Sequence, residues 1–361
     1  MSATTHQQTP ARSDGAGKAG GALRRVSALA GKHKRSIRAA ALLLIAIFVA
    51  LAVWKAWASL PAGYSWHINW PLLVGGFVLL VAQELSFALI WRAILRRLGS
   101  HLAVRDAQQI YLGSEFVRYI PGNVWHVFTR ILWAERRGVP RVTALASMTI
   151  ELATKIASAA FVFALTLLVW PDVRGLAGAL GSSAASRSIP LTIGLVGVPL
   201  LLVGLHPRLL AGVLNFGLRK LGRPPVVLAL RYRDLLAITL LWSASWLVGG
   251  AGFCLIVLAL APSLALTPAV LLMCIGIFAV AWDIGFLSFI TPSGLGFREA
   301  AVVGALALAG LVTVPAVALA IALVARLLGT AAELVCVTGA HLMPGGTPPA
   351  AAVATAGEPD A

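Results

Sequence analysis

A chain of 361 residues has room for two soluble domains, but 59% hydrophobic and only 12% charged residues, at a mean hydropathy of +0.88, lie far outside globular composition. The formal net charge of +16 does not point to nucleic acid, because no basic stretch is interleaved with aromatic residues in a nucleic-acid-binding pattern. The composition predicts an all-α polytopic membrane protein.

Residues 1–36 are rich in Ser, Gly, Ala and basic side chains without apolar period, which predicts a disordered cytoplasmic tail. The run 37–54 reads as the first span. Ala56-Trp57-Ala58 resembles a signal-peptide cleavage site, but the apolar run is long and the tail before it exceeds a normal n-region, which favours an uncleaved helix. The outer loop "PAGYSWHINWP" supplies interfacial aromatics, and the second span covers 71–91. Further full spans are expected at 143–169, 189–205, 235–260 and 316–341. Segments 268–290 and 297–313 are either two more spans or one re-entrant pair, for six to eight crossings in all. The membrane domain is 37–341, and 342–361 is a disordered tail. Of the 29 Lys and Arg residues, 22 fall in 12–38, 92–105, 130–141 and 208–233. By the positive-inside rule these segments, and with them both termini, are cytoplasmic, in the inner (cytoplasmic) membrane. The same charge faces anionic phospholipid headgroups.

Two places break the helical pattern. The stretch "DAQQIYLGSEFVRYIPGNVWHVFTRILWAE" holds two apolar pieces around Pro121, Gly122 and Asn123. Each piece of about 13 residues rises only about 20 Å, too short to cross, and basic clusters flank both ends. A re-entrant hairpin satisfies these facts, and a pair of amphipathic helices on the inner surface is the other reading. The second break, "ITPSGLGF", contains Pro292, Gly294 and Gly296. Paired breaks in two halves point to a transporter-like repeat with substrate at the breaks; two unrelated kinks are the alternative.

Ionisable residues inside apolar segments are functional candidates by default: Glu84, Glu115, Arg118, Glu151, Lys155, Asp283, Arg298, Glu299, Arg326 and Glu333. Glu151 and Lys155, at i and i+4, form a structural ion pair on one helical face. Arg326 and Glu333 share a face flanked by small residues, and serve structure or substrate. Arg298 opens a helix after a Gly-rich break, where unpaired N–H groups and the helix dipole favour an anion. Its guanidinium suits a phosphate or carboxylate, or it pairs with Glu299 or Asp283. Arg118 and Arg130, flanking the first break, admit the same two readings, and His126 between them reads as a packed interfacial histidine. The candidate substrate-binding set is Arg118, Arg130, Arg298 and Arg326, with Glu299, Glu151 and Asp283 holding those cations or engaging a cationic headgroup. There is no metal-ligand spacing, and Cys254, Cys274 and Cys336 sit in apolar runs as buried thiols. "TPSG" at 291–294 lacks a well-placed base for a serine nucleophile. No catalytic residue, metal or cofactor is expected.

The stretches "RYIPGNVWHVFTRILWAERRGVPRVTALASMTIELATK" and "TPSGLGFREA" resemble the integral-membrane, flippase-like region of the lysylphosphatidylglycerol synthase family over residues 40–340. The carriers are the Pro-Gly-x-x-Trp break followed by Gly138 and Glu151, and the terminal Gly-x-Arg-Glu; Ser293 stands where the family often has Gly. Past His341 only a Pro/Gly/Ala tail follows, so the resemblance does not imply lysyl transfer. It implies handling of an anionic or lipid-linked amphiphile across the membrane, without an enzyme activity. The alternatives are a membrane partner of a separate glycosyl- or acyl-transferase, and a small-solute transporter.

Overall fold

The computed structural model describes residues 65–116, 125–170, 203–220, 230–288 and 294–342, with Trp54, Ala58 and Gly197 singly. All regular structure among the described residues is helical: α1 (Trp70–Arg97), α2 (Val104–Phe116), α3 (Trp125–Glu135), α4 (Arg141–Thr166, continued by a 3₁₀ turn Leu167–Val169), α5 (Pro207–Lys220), α6 (Tyr232–Leu260), α7 (Pro268–Leu287), α8 (Phe297–Leu308) and α9 (Pro315–Leu342). Local chemistry sets several starts. The Asn69 side chain accepts from Leu72 N–H at 3.3 Å ahead of α1, and Thr267 Oγ1 accepts from Val270 N–H at 3.2 Å ahead of α7. Each cap is followed by a proline in the first turn, where a missing N–H costs nothing.

Five helices are long and apolar enough to cross a membrane: α1, α4 with its 3₁₀ turn, α6, α7 and α9. They coincide with the expected spans at 71–91, 143–169, 235–260 and 316–341, and 268–287 has the length and composition to cross. α8, with 12 residues, rises about 18 Å and is too short to be another. The expected spans 37–54 and 189–205 lie almost wholly outside the described residues, as do both tails. On the spans, Val74, Val78, Leu168, Leu240 and Leu327 are more than half exposed, an apolar exterior that suits a lipid surrounding.

Inside the bundle, small residues let backbones meet. Asn69 N–H donates to the Ala259 carbonyl at 3.0 Å, so α1 and α6 run antiparallel. They touch through Gly76 and Gly252; a Cβ on Gly76 would lie 2.8 Å from the Gly252 carbonyl oxygen. Likewise a Cβ on Gly250 would lie 2.5 Å from the Ile275 Cα, which fixes α6 against α7.

The short helices α2 and α3 hold 13 and 11 residues. α2 is held by Gln108 Nε2 donating to the Leu85 carbonyl of α1 and Gln109 Nε2 to the Ala340 carbonyl of α9, both at 2.9 Å. Its Ala107, Ile110, Tyr111 and Leu112 are buried. The break between the two helices, with Arg118, Pro121, Gly122 and Asn123, lies outside the described residues. At the second break Pro292 does too, but Gly294 and Gly296 have φ of +67° and +87°, a region that glycine enters without penalty. A side chain at Gly294 would collide with the Gly285 carbonyl, so this glycine lets the returning chain fold back onto the end of α7.

Candidate functional site

The charged residues of the spans separate into three groups. The first is centred on Arg130 of α3, which is 1% exposed. Its Nη1 donates to Glu151 Oε2 at 2.7 Å and its Nε to Ser114 Oγ at 2.9 Å, and Nη2 bonds Glu115. Tyr111 donates its hydroxyl to Glu151 Oε1 at 2.7 Å, and the guanidinium stacks 4.1 Å from the Tyr111 ring centroid. Both oxygens of Glu151 are thus engaged by other helices, and Arg130 is a charge partner that the sequence spacing did not supply. An i, i+4 pairing is the nearest that sequence spacing offers, whereas Arg130 arrives from a helix whose docking that spacing does not encode. With every polar arm engaged, Arg130 ties α2, α3 and α4 together and does not line the cleft described below.

The second group is Lys155 and Asp283. The Lys155 ammonium lies 3.9 Å from the ring centroid of Phe87 on α1, 4.8 Å from that of Trp242 on α6 and 4.5 Å from that of Trp282 on α7. Asp283, beside Trp282 in sequence, is buried. Neither residue lines the cleft.

The third group forms that cleft, midway along the spanning helices. The same Phe87 and Trp282 rings form its wall, together with Trp246 and Phe278. Its charged lining is Arg298 from α8, Arg326 and Glu333 from α9 and Glu84 from α1. Arg326 Nη1 donates to Glu299 Oε1 at 2.6 Å, while Glu299 Oε2 accepts the Gly296 N–H at 2.7 Å. One carboxylate therefore caps α8 and orients a cation. Arg298, on the first turn of α8, has its guanidinium 5.4 Å from the Phe278 ring centroid. Gln83 also lines the cleft; it is 3% exposed, and its Nε2 has no hydrogen-bond partner among the described residues.

Of the predicted binding residues, the structure brings Arg298, Glu299 and Arg326 together at the cleft, and places Arg130, Glu151 and Asp283 away from it. Glu84 stood out in the sequence only as a charge in an apolar run, and Glu333, read as sharing a face with Arg326, does line the cleft with it. The aromatic wall and Gln83 carried no signal beyond composition, since aromatic and amide residues recur throughout the spans.

Apolar helices long enough to cross a bilayer, packed around a cleft of mixed charge, define an integral membrane protein. The model of the lysylphosphatidylglycerol synthase TM region matches residues 38–335, and the chain belongs to that family. Comparison with curated proteins finds no match.

Proposed function

We propose that this protein carries an anionic or lipid-linked amphiphile between the leaflets, or presents it there, as a flippase-like carrier rather than an enzyme. The observation behind the proposal is the cleft itself: Arg298 and Arg326 face Glu84 and Glu333 among aromatic rings, midway along spans whose outer surfaces are apolar. A phosphate entering there meets a guanidinium fork and the N-terminus of α8, while acyl chains remain in the bilayer. In this reading α2 and α3 form one re-entrant hairpin and α7 and α8 a second, so the full crossings number six, both termini are cytoplasmic, and the membrane is the inner one. The family supports lipid as the cargo over a soluble ligand.

Purified protein in mild detergent, analysed by native mass spectrometry for retained lipid, tests the reading. Wild type should retain one anionic or polyprenyl-linked lipid selectively. Arg298→Ala should weaken that retention by about ten- to a hundredfold, as expected for loss of a charge-assisted contact worth about 1.5–3 kcal/mol. Arg136→Ala, an exposed cation outside the cleft, serves as control. Equal retention of bulk lipids in all three proteins would move the function to support of a partner enzyme.

A further inference from the structure

The cleft leaves one buried acid unexplained. Asp283 is 6% exposed, and its Oδ1 has no hydrogen-bond partner among the described residues. An ionised carboxylate held away from water with an unbonded oxygen is costly, and such an orphan in a folded core calls for a role. Lys155, 4% exposed, acts on it electrostatically across the α4–α7 contact. The three ring faces around the ammonium stabilise its charge without neutralising it. Other titratable groups on the surrounding helices have their own engagements. On α4, Glu151 is bonded to Arg130 and Tyr111; on α8, Glu299 is bonded to Arg326 and the Gly296 N–H, and Arg298 lies over Phe278. α6 carries charge only in its first turn, at Arg233 and Asp234, α1 carries Glu84, which lines the cleft, and Cys254 of α6 meets Cys274, about 13 Å along α7 from Asp283.

We propose that Asp283 and Lys155 form an intramembrane proton-binding site whose occupancy is linked to that of the cleft; the linkage rests on the carrier reading above. The step is a protonation. A proton from water forms an O–H bond at Asp283, Lys155 stays an ammonium, and the pair goes from net zero to +1. Phe87 and Trp282 bound both the Lys155 enclosure and the cleft, so the extra positive charge appears just behind the cleft wall. An anion in the cleft therefore favours the proton, and by reciprocity the proton favours the anion. Cargo of negative charge enters with a proton, and a pH difference across the membrane biases the direction of carriage.

The test uses the full chain in phosphatidylcholine nanodiscs, with dioctanoyl phosphatidylglycerol as the anionic probe. Calorimetry in two buffers of different ionisation enthalpy should show proton uptake on binding, and affinity should rise as pH falls, by at most about tenfold per pH unit for one linked proton. Asp283→Asn, which mimics the neutral acid, should bind at every pH with the affinity that wild type reaches only at low pH, and take up no proton. Wild-type binding independent of both pH and buffer would overturn the linkage while leaving the cleft reading intact. Absence of probe binding in wild type would sink the cleft reading instead. The proton site is then decided by infrared titration: a protonated-carboxyl band that disappears in Asp283→Asn supports it, and no such band overturns it.

Discussion

Arg130 and Arg298 look alike in the sequence, each a few residues past a Pro/Gly break, yet they occupy opposite situations. Arg298 lines a cleft, whereas Arg130 is fully buried among partners from two other helices. Removing it strips Glu151, which is buried, of its guanidinium and takes the same partner from the half-buried Glu115, and loss of one member of a buried pair costs about 3–5 kcal/mol. Arg130→Met should therefore lower the thermal unfolding temperature sharply in detergent, and Arg130→Lys should recover only part of the loss, because an ammonium does not fork between Glu115 and Glu151. Unfolding at the wild-type temperature for both variants would mean that the network is not what holds α3. The candidate charges were legible because ionisable residues stand out in apolar runs. Their assignment to network or cleft was not, since it depends on which helix docks on which.

At the scale of elements, hydropathy alone located the spans α1, α4, α6 and α9 to within a few residues. α8 was harder to read. Its apolar run continues to 313, but Gly310 at φ +66° ends the helix early, so a segment that looked like a possible crossing is a half-length helix. Helix contacts follow a different logic, written in small residues. Gly252→Leu drives a side chain into the Gly76 carbonyl and Leu79, and should separate α1 from α6. The measurement is yield of monodisperse protein after detergent extraction, which should fall severalfold. The same substitution at Gly304, where a Cβ meets nothing within 4 Å, should leave yield unchanged.

For the whole molecule, the placement of basic clusters makes a topological prediction that does not depend on cargo. Cysteines introduced at His101, between α1 and α2, and at Ser263, between α6 and α7, should react with a membrane-impermeant maleimide from opposite sides of sealed vesicles, with position 101 on the cytoplasmic side. The native cysteines Cys254, Cys274 and Cys336 are buried and form a quiet background. Labelling of both positions from one side would overturn the proposed orientation.

Phe87 and Trp282 serve two neighbours at once: both line the cleft, and both rings pack against the Lys155 ammonium. A mutation that trims either ring to admit a bulkier guest also strips shielding from a buried charge, so selectivity and energetics cannot drift independently at those two positions. Gln83, Gly329 and Thr330 line the cleft but are not among the rings around Lys155. Relatives that handle different cargo should therefore vary first at those three, and an engineer seeking altered selectivity should begin there.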